Sequence, residues 1–263
     1  MSGPQSLHAA VGTTAVPVTA SALPNLPWLW WMLVHRVVLF AAVQGAIALA
    51  FWLGGAGDAW ERSIAWWPLS AAITGLCSLA LLRRSLHVEG SRYRDLLRID
   101  RANLRADARI TLLLVVATAV LALVPNIGIA ALLWGDPLIA VDMLVRPLPL
   151  TVAWALVLAF PIAIGLSELP VYFGYVLPRL RRHLGRRVPA ILVTAAVLSL
   201  QHVTLPLVFD WRFVVWRALM FLPFALLLAV VLGRRPRLLP YLVIVHIVLD
   251  VGAAAQVLLA SMP

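Results

Sequence analysis

The chain has 263 residues, 63% of them hydrophobic and 12% charged, with a mean hydropathy of +0.96. Soluble domains run near half apolar and a quarter charged, so an ordinary water-soluble globule is excluded. The net charge of +10 comes from arginine alone, without lysine. These arginines lie in short loops between apolar runs, a pattern of topology control and anionic headgroup contact rather than of nucleic-acid binding.

At about 20 residues per span, the composition predicts an all-α polytopic transmembrane helix bundle of about seven or eight spans with no separate soluble domain. Residues 1–25 are rich in Ala, Pro, Thr and Ser and lack the basic region and apolar core of a signal peptide. They read as a disordered cytoplasmic tail, and 26–263 as the transmembrane domain. The single cysteine, Cys77, cannot form an internal disulfide.

In chain order, the first span is expected at roughly 35–54, after an interfacial approach of Trp28, Trp30 and Trp31. Spans follow at roughly 63–82 and 110–133. The basic loop between them, Arg83 to Arg109, admits two readings: a surface amphipathic helix with Tyr93, Leu97, Leu104 and Ala108 on one face, or a solvated connector. From Leu148 to Leu177 the chain is apolar for 30 residues, about 45 Å as a straight helix against roughly 30 Å of hydrocarbon. Pro161, Gly165, Pro170 and Gly174 predict one long, broken or tilted segment there, with room for a partial or re-entrant helix. The last spans fall at roughly 188–208, 217–232 and 240–261.

With a cytoplasmic N-terminus, 17 arginines, Arg36 among them, fall on the cytoplasmic side. Four, Arg62, Arg146, Arg212 and Arg217, fall outside. That is a strong positive-inside bias, and it predicts seven crossings.

Inside these spans sit Glu168, His202, His246 and Asp250. An ionisable group at bilayer depth is costly and marks function unless it is paired or wet. His246 and Asp250 are four apart and share a helix face. Counted at about 1.5 Å per residue from the nearest cytoplasmic arginine, Glu168 lies about 16 Å deep, His202 about 22 Å, His246 about 14 Å and Asp250 about 20 Å. All four fall in one layer, which predicts a single water-filled site able to act on a water molecule or to hold a metal. A structural hydrogen bond between helices is the plain alternative for each residue taken alone.

The stretch Glu168-Leu-Pro-Val-Tyr-Phe-Gly-Tyr-Val-Leu-Pro-Arg-Leu180 resembles the first motif, E-E-x-x-x-R, of the CPBP intramembrane proteases, also called the CAAX protease and bacteriocin-processing or Abi family. Leu198-Ser-Leu-Gln-His202 resembles their F-x-x-x-H motif, and His246-Ile-Val-Leu-Asp250 their H-x-x-x-N or H-x-x-x-D motif. The resemblance covers roughly 148–255, the core expected to be catalytic. Two positions depart from it: Leu169 stands for the second glutamate and Phe173 for the arginine. They are four apart, where an ion pair would form, so the paired loss reads as an apolar substitute for a salt bridge.

The resemblance implies an endopeptidase acting on membrane-associated protein or peptide substrates. Glu168 would activate a water, His202 would hold it, and His246 with residue 250 would stabilise the oxyanion. An ionised Asp250 beside an oxyanion would repel it. A zinc ion held by Glu168, His202 and His246, with Asp250 as a further ligand, is the alternative that removes this repulsion. A catalytically inactive CPBP-fold scaffold or immunity protein and a proton-relaying transporter are the competing functions. The arginine and alanine bias, without a visible organelle signal, predicts a bacterial inner (plasma) membrane, with the bilayer and the substrate as partners.

Overall fold

A computed structural model describes residues 24–263. The expected disordered tail lies outside the described residues, apart from Pro24 and Asn25. Asn25 is ordered as a helix cap, its side chain accepting from the Trp28 amide at 2.9 Å. That cap, with Pro27 in the first turn, starts α1 (Leu26–Leu53) nine residues earlier than the apolar run alone placed it.

The remaining helices are α2 (Ala59–Ile64), α3 (Trp67–Val88), α4 (Tyr93–Leu96), α5 (Leu104–Trp134) and α6 (Ile139–Leu144). They are followed by α7 (Leu150–Gly165), α8 (Leu177–Leu184), α9 (Arg187–Leu200), α10 (Trp211–Met220), α11 (Leu222–Arg234) and α12 (Leu239–Ala260). The described residues form no sheet. Their structure is an all-helical bundle with six helices or helix pairs long and apolar enough to cross a bilayer. The expected fifth span is shorter: α9 and the 3-10 turn after it run only from Arg187 to Val203.

Three expectations change. The loop 83–109 holds no long surface helix. Instead α3 and α5 extend into it, and Tyr93, Leu96 and Leu97 of the short α4 region pack on the main core. The sixth span begins at Trp211 and is jointed at Phe221, so Arg217, counted on the outer side, lies inside it. Arg36, counted on the cytoplasmic side at the start of the first span, is fully buried within α1. With Arg36 and Arg217 removed, the arginine bias is sixteen to three.

The segment 148–184 is broken, as its prolines and glycines predicted. α7 ends at Gly165, the chain turns through Leu166 and Ser167, and a π-helix (Pro170–Val176) leads into α8. Pro170 has no amide hydrogen to continue the α-helical ladder, and the wider turn absorbs the mismatch. Glu168 sits in this break. The π-helical residues Val171, Tyr172, Tyr175 and Val176 are fully buried at the centre of the main core.

Among lipid tails the hydrophobic effect does not hold helices together; close packing does. α7 packs along α3 on one side and α12 on the other. Gly75 lets α3 approach α7 so closely that a Cβ there would lie 2.7 Å from the Ala163 backbone. Gly165 does the same for α12, where an added Cβ would collide with the Ile247 side chain. This second contact sets the position of His246 and Asp250 relative to Glu168.

Candidate active site

Glu168 is buried, and its carboxylate is the hub of the site. Arg36 reaches from α1, 132 positions away in the chain, and donates to Oε2 at 3.2 Å. Gln201, at the end of α9, donates its amide to the same oxygen at 2.6 Å. The guanidinium is itself fixed on three sides. Its Nε donates to Gln201 Oε1 at 2.8 Å, its Nη1 to Ser167 Oγ at 3.0 Å, and it lies 5.2 Å from the Phe40 ring centroid. Tyr172 adds a bond to Gln201 Oε1 at 3.1 Å, and Ser167 Oγ donates to the Ala163 carbonyl. The carboxylate is thus held by a charged hydrogen bond inside a network whose members orient one another.

The other carboxylate oxygen is different. Glu168 Oε1 receives no hydrogen bond from the described residues. Its nearest polar neighbour is His246 Nε2 at 3.6 Å, and that nitrogen lies 3.3 Å from Asp250 Oδ2. Two carboxylates flanking Nε2 place the ring hydrogen there. Neither contact is aligned as a hydrogen bond, and both His246 Nδ1 and Asp250 Oδ2 are buried without a hydrogen-bond partner. Buried polar groups are normally satisfied, so these atoms mark a place built to meet water or a polar ligand. His246 and Asp250 keep side-chain exposures of 15% and 18%, so the pocket is not sealed.

His202 stands at one side. Its Nδ1 lies 2.9 Å from the Leu198 carbonyl, which places a hydrogen on Nδ1 and leaves Nε2 as an acceptor. The ring stacks on Phe221 with centroids 3.8 Å apart. It lies within electrostatic range of Glu168, although no hydrogen bond joins the two. The turn that carries it is braced from two sides. Buried Arg217 donates to the carbonyls of His202 and Leu205, while Gln44 of α1 exchanges two hydrogen bonds with the Leu207 backbone, at 2.7 and 2.9 Å. These side chains satisfy non-helical backbone that would otherwise be orphaned inside an apolar bundle.

The structure therefore brings Glu168, His246 and Asp250 into one cluster and places His202 beside it. Gln201, Ser167 and Tyr172 carry no signal in the sequence, and Arg36 only an indirect one. A carboxylate in an apolar span without its neighbouring arginine demands a cation from elsewhere, and that demand was the available signal for Arg36. Leu169 and Phe173, at the departing motif positions, are both buried in the main core.

The zinc alternative does not suit this arrangement. Oε2 of Glu168 is already occupied by a guanidinium and an amide, and a dication would lie against buried Arg36. Among the described residues no group of three His, Cys, Asp or Glu side chains is arranged so that it could hold a metal ion. Against protein-family models, curated proteins and solved structures, the chain matches none.

Proposed function

We propose that the chain is a glutamate-type intramembrane endopeptidase, as the resemblance to the CPBP proteases implies. The observation that carries this reading is the asymmetry of Glu168. One oxygen is pinned by Arg36 and Gln201, while the other faces His246 and two unsatisfied polar atoms. Pairing with Arg36 favours the ionised carboxylate that a general base requires.

In this reading a water lies between Glu168 Oε1 and His202 Nε2. The water oxygen forms a bond to the scissile carbonyl carbon as its proton passes to Glu168. The carbonyl π electrons move to oxygen, and the Nε2 hydrogen of His246 stabilises that charge. Glu168 returns the proton to the leaving nitrogen as the C–N bond breaks. Asp250, whose Oδ2 lies 3.3 Å from the same Nε2, holds the imidazole toward Glu168 until the oxyanion takes that hydrogen. Arg36, a fixed positive charge, removes the repulsion that two carboxylates would otherwise impose on the oxyanion.

The same proposal covers the topology. It counts Arg187–Val203 as a seventh crossing, since 17 residues span about 26 Å of a roughly 30 Å core. It places the N-terminus in the cytoplasm of a bacterial inner membrane on the sixteen-to-three arginine bias.

A second reading has its own support. Glu168 has donors enough to be a structural ion pair, and the motif glutamate and arginine are apolar, so a non-catalytic scaffold also fits. Expression of wild type and Glu168→Gln in a bacterial host, followed by profiling of protein N-termini in the membranes, separates the two. Peptidase activity yields new N-termini in wild type that are missing in Glu168→Gln. Identical profiles at equal expression sink the peptidase reading and leave the scaffold.

A further inference from the structure

The loop after α3 reaches back to the break that carries Glu168. In an α-helix the Leu166 carbonyl would accept from the amide of residue 170, and Pro170 has none. The next amide, that of Val171, bonds to the Ser167 carbonyl at 2.9 Å. The Leu166 carbonyl is met from outside its own segment: the Tyr93 hydroxyl donates to it at 2.6 Å, across 73 positions of sequence. A bare carbonyl inside an apolar bundle is costly, so this one side chain closes the gap that the proline opens.

The phenol is itself held. Gly90, with a φ of +71°, turns the chain after α3, and the Ser91 amide bonds back to the Leu86 carbonyl at 2.8 Å. That turn leads into α4, where the Arg92 amide donates to the Asp95 carboxylate at 3.3 Å. The Arg83 guanidinium lies 5.4 Å from the Tyr93 ring centroid. Leu96 supplies a second hold. Its methyl groups lie over Gly174, where an added Cβ would meet them at 3.3 and 3.6 Å. The α4 region therefore grips the buried segment on both sides of Glu168, at Leu166 before it and at Gly174 after it.

We infer that Tyr93 is a positioning residue for Glu168, acting through the Leu166 carbonyl, with Leu96 as the second jaw of the same clamp. The inference rests on the peptidase reading of Glu168. Arg36 and Gln201 hold one oxygen at the tip of that side chain. The Tyr93 bond holds the backbone from which it projects, two residues away. A general base must sit within hydrogen-bond reach of the proton it takes, so a small shift of this backbone turns Oε1 from the attacking water. Tyr93 bonds to main chain and not to the carboxylate, which separates its role from that of Arg36.

The test uses the full chain and two readouts. Hydrogen exchange by mass spectrometry follows the amides of Ser167, Glu168, Leu169 and Val171 in detergent, and the formation of new membrane N-termini follows cleavage per folded molecule. Tyr93→Phe removes one hydroxyl; Tyr175→Phe removes the hydroxyl that bonds Glu89 and serves as the comparison. Tyr93→Phe should speed exchange at those amides and slow cleavage, each on the order of tenfold. Tyr175→Phe should lower the thermal midpoint and leave cleavage per folded molecule unchanged. An equal loss of cleavage in both variants is general destabilisation and overturns the inference. Wild-type exchange in Tyr93→Phe overturns the clamp, and faster exchange with unchanged cleavage overturns the positioning role. Identical N-termini in wild type and Glu168→Gln sink the peptidase reading, and exchange still judges the clamp. Should Tyr93→Phe fold poorly, Leu96→Ala loosens the second jaw and carries the same expected signs.

Discussion

Two buried arginine–carboxylate pairs divide this molecule, and they differ in what they leave unused. At the end of α3, Glu89 is paired with Arg179 of α8. Its Oε1 accepts from Tyr175 at 2.7 Å and from Arg179 Nε at 3.3 Å, and its Oε2 takes both Nε and Nη2 of the same arginine. Arg179 also donates to the Tyr175 carbonyl and lies over the Tyr175 ring. Both oxygens are occupied, and among the described residues no histidine pairs with Glu89. Glu168 has an equally buried arginine, yet only one of its oxygens is bound. The same ion-pair chemistry serves as a closed staple in one place and as an open, oriented carboxylate in the other.

The largest expected effect breaks both pairs in the same way. Arg36→Met and Arg179→Met each leave a carboxylate buried without its cation, which costs about 3–5 kcal/mol. Unfolding in mixed micelles should show both variants strongly destabilised. Adding Glu168→Gln to Arg36→Met should recover much of the loss, because a neutral amide tolerates the missing cation. No recovery in the double variant would mean that Arg36 contributes packing against Phe40 rather than charge.

The next effect separates the pairs. Glu168→Gln should lower peptide cleavage by on the order of 10²–10⁴-fold, the range that general acid–base groups supply, while the protein stays folded. Glu89→Gln should do the reverse, lowering stability and leaving cleavage per folded molecule unchanged. The measurement is the rate of formation of the new membrane N-termini, normalised to folded protein. Equal rates for Glu168→Gln and wild type would remove the functional half of the comparison.

A smaller effect tests how the open site is held in place. Gly165→Ala forces a methyl into Ile247, and overpacking of this kind costs about 1–3 kcal/mol. The displacement acts on α12, so His246 and Asp250 should shift from Glu168 and cleavage should fall. Adding Ile247→Val makes space and should restore part of it. A Gly165→Ala variant with full activity would show that α12 is positioned by something else.

Much of this site was legible in the sequence because its signals are local. His246 and Asp250 share a face by spacing alone, and prolines and glycines marked the break that holds Glu168. What stayed hidden is what other helices bring. Arg36 follows a tryptophan-rich stretch and reads as a cytoplasmic-side arginine at the start of the first span, because only the Asn25 cap shows that α1 starts at Leu26. Gln201 precedes a more conspicuous histidine, and nothing in a one-dimensional string says that its amide will meet a carboxylate 33 positions away. The same limit applies to α10 and α11: a joint at Phe221 carries Arg217 inward, where a hydropathy window ended the span at a charge. Counting at a fixed rise suits His246 and Asp250, since both lie on the one helix α12. It carried less meaning for Glu168, since a π-helix lies between that residue and its reference arginine.

The smallest expected effect concerns Asp250. If Asp250 orients His246 without touching substrate, Asp250→Asn keeps an oxygen facing Nε2 and loses only charge. Cleavage should fall by about tenfold, the scale of one weakened hydrogen bond of 1.4 kcal/mol, with stability nearly unchanged. Asp250→Ala should fall further, because nothing then holds the imidazole against Glu168. The order asparagine above alanine is the sign of a positioning residue. If Asp250→Asn instead cleaves faster than wild type, the aspartate charge opposes the oxyanion even with Arg36 in place. The neutral side chain found in many versions of the resembling motif would then be the better partner for His246. That outcome would also place the open pair one charge away from its catalytic optimum, a difference that the closed Glu89–Arg179 pair cannot show.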